Sequence, residues 1–217
     1  PAMIGYVVII ISFPQIMSTQ WLNPDATKAI DSYTAATPLD NIKTELDRGQ
    51  TISEVTEASP TLLFGEFGAY SWEWVNLAFL LGGIALLYLR IIRWHIPLMM
   101  LGTIFLIAAV FHYYDSDNYL PPLFHLFSGG TILAAFYIAT DPVTSPNTRL
   151  GHIYFGIGIG IYTYVIRTWG GYPDGIAFAV LLMNMKTPIL DYVTQPRAFG
   201  HPKKRHTHIT HKKDSQD

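Results

Sequence analysis

The chain has 217 residues, of which 50% are hydrophobic and 14% charged, well below the ~25% charged of an average soluble domain, so a plain soluble globule is disfavoured. A formal net charge of -2 argues against nucleic acid as a partner. Cysteine is absent, which excludes disulfides, thiolate zinc sites, thiolate-bound iron–sulfur clusters and a cysteine nucleophile in this chain.

Taken in chain order, residues 1–17 open with an apolar run, with neither an initiator Met nor a basic start. They read as a membrane helix cut at its beginning rather than a signal peptide, so the sequence is expected to be the C-terminal part of a longer protein. Residues 18–74 differ in kind: nine acids stand against Lys28, Lys43 and Arg48, with much Thr, Ser, Pro and Gly. This reads as a long loop with one short amphipathic helix near 39–47. Long loops of this sort are often functional. Five further apolar runs follow at 75–92, 96–113, 123–140, 151–166 and 175–190, each near the ~20 residues that cross ~30 Å of hydrocarbon. The fold class expected for 75–192 is therefore an all-α polytopic membrane bundle. Residues 193–217 form a basic tail suited to anionic lipid.

Lys and Arg in short loops set orientation. Arg90, Arg93, Arg149 and the tail residues Lys203, Lys204, Arg205, Lys212 and Lys213 fall on one side, which is expected to be cytoplasmic. Asp115, Asp117 and Asp174 fall on the other, together with 18–74 by parity. Arg167 alone goes against the pattern.

The stretch Asp31-Ser32-Tyr33-Thr34-Ala35-Ala36-Thr37-Pro38 has two readings. Thr37 can N-cap a helix that starts at Pro38. It can also be a modification site, because Ala35 and Ala36 let an enzyme grip the backbone closely and a Thr hydroxyl needs outside activation to attack phosphate. The two coexist, since a phosphate ester there would sit at a helix N-terminus.

Further residues carry weaker signals. Asp141 precedes Pro142, so it reads either as part of a helix stop or as an acid with an ion or contact role; Asp174 and Asp191 share that ambiguity. Gly156, Gly158 and Gly160, in a run with Gly151, read as sites of close helix approach rather than a phosphate loop. Gly82-Gly83 and Gly129-Gly130 read alike, or as room for a ring system. His112 and His125 read as interfacial side chains, and no metal ligand set is expected.

The Asp31–Thr37 stretch fits a pattern by which flavin transferases attach FMN to Thr. With it come 138–146 (IATDPVTSP), 167–184 (RTWGGYPDGIAFAVLLMN) and 194–201 (TQPRAFGH). Together, in this order, they closely resemble the D subunit family of the Rnf (Rsx) electron transport complex, related to the B subunit of the sodium-translocating NADH:quinone reductase. The Gly170–Gly175 run favours the Rnf branch. The resemblance implies ten helices in two inverted five-helix halves, with this chain holding the last helix of the first half and all of the second. It implies an inner-membrane complex that moves electrons among NADH, ferredoxin or related carriers and couples this to Na⁺ or H⁺ movement. It implies that Thr37 carries FMN as a phosphoester, supported by the motif residues Asp31, Thr34, Ala35 and Ala36, and that the partners are other Rnf subunits and a flavin transferase acting on a periplasmic loop. Relatives also hold a non-covalent riboflavin, whose contacts the resemblance does not place on this chain. The alternatives from other classes are a transporter or channel half, since broken helices and inverted repeats also mark transporters, and a passive membrane scaffold.

Overall fold

The computed structural model describes residues 2–14, 38–58, 65, 68–69, 72–172 and 174–195. The motif residues Asp31, Thr34, Ala35, Ala36 and Thr37 lie outside them, as does the basic tail beyond Gln195. Among the described residues the structure is all-α, with no strand.

Helix α1 (Ala2–Ser12) lies against the final helix and buries Val7 and Ile10. Two short helices follow: α2 (Pro38–Asp47), where one amphipathic helix is expected, and α3 (Ile52–Ala58). The second is not foreseen by the loop reading, yet its start is written in the sequence. Thr51 and Glu54 form a reciprocal capping pair, the Glu54 N–H donating to Thr51 Oγ1 (3.3 Å) and the Thr51 N–H to Glu54 Oε2 (2.9 Å). This is the S/T-x-x-E arrangement that satisfies the orphan donors of a first turn. Leu39, Ile42, Ile52 and Val55 then bury against Leu120 and Phe124.

The remaining helices are α4 (Trp72–Tyr88), α5 (His95–Tyr114), the short α6 (Pro122–Phe127) and α7 (Thr131–Leu133), α8 (Arg149–Trp169) and α9 (Ile176–Thr194). Helix α7 runs directly into a π-helical segment, Ala134–Ile138. The run 123–140, expected as one span, is thus a discontinuous helix broken at Ser128–Gly130. Two helices, α5 and α9, are long and apolar enough to cross a membrane by length and composition, and α4 is a shorter apolar helix.

Neighbour contacts fix the directions. Asn76 meets the segment around Phe127 while Gly83 meets Phe136, so α4 and the broken helix run parallel. His95 lies by His152 and Phe111 by Tyr164 and Trp169, so α5 and α8 also run parallel. Gly151 approaches Thr194, Gly158 approaches Met183 and Gly175 approaches Ile166, which sets α9 antiparallel to α8. Small residues make the α5–α8 seam close. A Cβ on Gly156 would lie 2.8 Å from Ile96 O, and one on Gly160 would lie 2.8 Å from Thr103 Cβ and 2.9 Å from Met100 O. Met100, Ile104, Phe155 and Ile159 fill the core beside it. Close backbone approach is how apolar helices associate where lipid removes the hydrophobic drive.

The seam yields a paired test. Gly160→Val pushes into backbone and Thr103, so it should destabilise by about 1–3 kcal/mol. Gly158→Ala meets only the flexible Met183 side chain and should be near neutral. Thermal denaturation of the detergent-solubilised protein compares the two; equal effects would contradict this seam.

Candidate functional site

The break at Ser128–Gly130 creates a chemical problem. Interrupting a helix frees carbonyls and N–H groups inside an apolar bundle, and each needs a new partner. Gly129 sits at φ +58, a left-handed conformation that glycine adopts without a Cβ clash, and a Cβ there would lie 2.6 Å from Asp174 Oδ2.

Four side chains resolve the break, three from other stretches of chain and one from α7. Arg167, near the end of α8, donates from Nη1 to His125 O (2.8 Å) and from Nη2 to Ser128 O (3.4 Å). Thr131 Oγ1 lies 2.9 Å from His125 O and 3.1 Å from Ser128 O. Asn76 Nδ2, from α4, lies 3.2 Å from Phe127 O, 3.0 Å from Gly129 O and 3.0 Å from Trp72 O. The Gly130 N–H donates to Asp174 Oδ2 (3.1 Å), while Asp174 Oδ1 accepts from Arg167 Nη2 (3.0 Å) and from the Ile176 N–H at the start of α9 (3.4 Å). Nearby, Glu73 is buried and accepts from the Gly68 N–H (3.2 Å). The Arg167 side chain is 1% exposed and that of Asp174 33%. Arg167, the exception to the loop-charge pattern, is therefore not a loop charge at all. It is a buried cation whose planar fork serves two carbonyls and a carboxylate at once.

Beside this network lies a cleft of about 200 Å³ lined by Lys43, Asp47, Tyr119, His125, Arg167 and Trp169, among others. Helix α2 forms one wall. Lys43 holds it there by donating from Nζ to Arg167 O (3.0 Å), to Ile166 O and Tyr172 O (3.4 Å each) and to Gly170 O. A lysine over the last carbonyls of α8 satisfies orphan acceptors and complements the negative end of the helix dipole. Burial lowers the Lys43 pKa from its usual range, opposed by Asp47 and Asp40, and burial raises that of Asp40, opposed by Lys43. His125 Nδ1, Ser128 Oγ and Arg167 Nε are buried without a hydrogen-bond partner among the described residues.

The other acids flagged from sequence have structural partners. Asp141 closes the turn after the π segment, accepting from the Val143 N–H (3.1 Å) and Thr144 Oγ1 (3.2 Å). Asp191 accepts from the Asn147 N–H (2.8 Å) and Asn147 Nδ2 (3.2 Å), tying α9 to the loop before α8. His112 Nδ1 pairs with Tyr119 O (2.7 Å). His125 departs from the interfacial reading: it is 5% exposed, because the broken helix turns it inward under α2. Sequence reasoning missed Asn76 and Lys43. Asn76, a polar residue inside an apolar run, was a signal available to it; Lys43 carried none beyond its place in an acidic loop.

The sequence model of the NQR2, RnfD, RnfE family matches residues 1–200. The chain is similar to a protein of Pseudomonas aeruginosa named as the D subunit of an ion-translocating oxidoreductase complex, at 48% identity over 94% of this chain and 62% of that protein. It is similar to proteins of the same name from Aliivibrio salmonicida, at 43% identity over 94% of this chain and 65% of that one, and from Vibrio cholerae, at 45% identity over 93% and 65%. The chain thus spans less than two thirds of the length of these relatives.

Replacing Arg167 should be severe. Arg167→Gln strands a buried carbonyl and the Asp174 carboxylate and is expected to destabilise by ~3 kcal/mol or more. Asp174→Asn keeps an acceptor at a partly solvated position and should do less harm. Denaturation midpoints of the two variants in detergent provide the check; a milder Arg167→Gln would remove Arg167 from the centre of the network.

Proposed function

Because the chain belongs to the NQR2, RnfD, RnfE family, we propose that it acts as a flavin-bearing membrane subunit of a complex coupling electron transfer to ion translocation. The observation that carries this reading is 48% identity, across 94% of the chain, to a protein named as the D subunit of an ion-translocating oxidoreductase complex. The other subunits of that complex are its partners, and the inner membrane is its location.

FMN is held as a phosphoester on Thr37. The reading is supported by the sequence around Thr37 and by the described residues that follow it. Thr37 directly precedes Pro38, the first residue of α2, so an ester there gains from the positive end of a helix. Lys43 anchors α2 to the end of α8, and the adjoining cleft offers the aromatic side chains of Tyr119 and Trp169 with the positive charges of Lys43 and Arg167. Bound flavin supplies the one- and two-electron chemistry. The chain's own residues tether it and keep it at high effective concentration near its electron partners. A flavin transferase outside the cytoplasm makes the ester.

The five segments after residue 71 cross the membrane in alternating directions. Exposed Trp74, Tyr113, Tyr114 and Trp169 gather at one end, and exposed Tyr88, Trp94, Tyr154 and Tyr192 gather toward the other, as expected of two interfacial aromatic belts. The first end is periplasmic and carries α2 and α3; the second, with Arg90, Arg93 and Arg149, is cytoplasmic. The discontinuous helix also favours a second reading, in which this chain lines part of the ion path, since broken helices mark such paths in transporters.

Two measurements test these assignments. Reporter fusions after Asp47 and after Asp217 should give opposite compartment signals; matching signals would overturn the topology. Peptide mass spectrometry of the region around Thr37, with and without the transferase, should find FMN on Thr37, none on Thr37→Ala, and partial labelling on Thr37→Ser, which keeps the hydroxyl. FMN persisting on Thr37→Ala would show another acceptor, and an unmodified Thr37 in an active complex would remove the flavin-bearing role.

A further inference from the structure

Lys186 sits in α9, the second of the two helices long and apolar enough to span a membrane. Its side chain is exposed. Its Nζ donates to the Tyr162 hydroxyl and lies 4.4 Å from the centre of the Tyr162 ring. Among the described residues the ion pairs are Arg48–Glu45 and Arg167–Asp174, and no acidic side chain reaches Lys186.

The depth of this ammonium is set by helix geometry. Gly158 of α8 and Met183 of α9 are level, because a Cβ on Gly158 would run into Met183. Lys186 lies one turn beyond Met183 and Tyr162 one turn beyond Gly158, on antiparallel helices. Helical side chains lean toward their own N-terminus, so the two reach toward each other and meet near the Gly158–Met183 level. At ~1.5 Å per residue that level is about 14 Å from the start of α8 and about 16 Å from the end of α9. Both lie near the middle of ~30 Å of hydrocarbon. A lysine at a lipid-facing position ordinarily snorkels to the nearest surface. Lys186 points the other way. A tyrosine hydroxyl and ring face leave the charge itself uncompensated, and charges at this depth are found paired or facing protein. Lipid phosphate lies too far off, at the membrane surface. The surrounding face of α9 is a stripe of exposed Leu182, Met185, Ile189 and Val193, spaced as one side of a helix.

We propose that this face of α9 is the docking surface for a transmembrane helix of another subunit, which carries an Asp or Glu at mid-membrane depth to pair with Lys186. The inference rests on the membrane reading given under the proposed function. That reading is tested separately by the reporter fusions, so the two can fail independently. The pair would form only on assembly, which makes it a determinant of partner choice and register as well as of affinity.

The test uses the assembled complex in native membranes. A photo-crosslinking amino acid at Met185, with Lys186 intact, should give one heavier species joining this chain to another membrane polypeptide, the linked peptide lying within a helical turn of an Asp or Glu. Adducts to lipid alone, or a link within the same polypeptide, would overturn the proposal. In parallel, Lys186→Arg should retain the co-purified partner, whereas Lys186→Glu should lower it by roughly tenfold or more. Changing the identified acid to Lys in the Lys186→Glu background should restore it. Equal recovery of the partner with Lys186, Arg and Glu at this position would remove the charge pair from the interface.

Discussion

One guanidinium determines how the bundle can be built. Breaking a helix in an apolar interior leaves backbone groups whose desolvation costs several kcal/mol each when unmatched. Arg167 places its donors on the His125 and Ser128 carbonyls from a stem that α8 already buries. A lysine could satisfy fewer of these directions, because its donors radiate from one point rather than spread along a plane. Charge then demands charge: Asp174 pairs with Arg167 and receives the Gly130 N–H. The register of α8 and α9 and the position of the break become one problem with one solution, and Asn76 brings α4 into it. Such a network is costly when half satisfied, which is why the glycine at 129 matters: any side chain there would meet the carboxylate.

The two ends of the bundle are held by different means. At the end that includes Arg149 the contacts stay within residues 141–194. Thr148 caps α8 by accepting from the Gly151 N–H (2.9 Å), Asp141 holds a turn, and the Thr148–Thr194 hydroxyl contact and the Asn147–Asp191 pair tie α9 to the start of α8. At the other end, chain from far away in sequence is recruited: Lys43 closes α8, and α3 docks through the Ile52 N–H on Asp117 O (2.8 Å) and Ser53 Oγ on Asp117 Oδ1 (3.2 Å). Between them runs the glycine seam of α5 and α8. Rigid packing in the middle and a composite surface at one end is the arrangement expected where a scaffold presents a site on loops and short helices.

What the sequence disclosed follows from which physical signals are local. Hydropathy located every long helix, since apolar runs of this length have few alternatives. It did not locate the break, because Ser128, Gly129 and Gly130 fall inside an apolar run and an averaged index carries no backbone information. Arg167 was visible as a misplaced charge, and the reason for its misplacement lies in its partners, which are distant in sequence. The start of α3 was legible in Thr51 and Glu54 and was lost in a reading dominated by the acidity of the whole segment. Lys43 could not be found this way: what it caps is far along the chain. Thr37 was singled out by its neighbours Asp31 to Ala36 and by resemblance, while the cleft beyond Pro38 required coordinates.

Arg167 and His125 line the cleft and also belong to the break. The same guanidinium that neutralises freed carbonyls and Asp174 therefore lies beside whatever the cleft holds. In a region of low dielectric, a unit of charge arriving nearby changes the energy of such a group by several kcal/mol within a few ångströms. On the proposed function, a flavin held beside this cleft would gain and lose negative charge as electrons pass. Arg167, which fixes the discontinuous helix, would be among the groups to feel that charge. Coupling of electron transfer to ion movement needs one element biased by both events, and on the proposed function the broken helix would be that element.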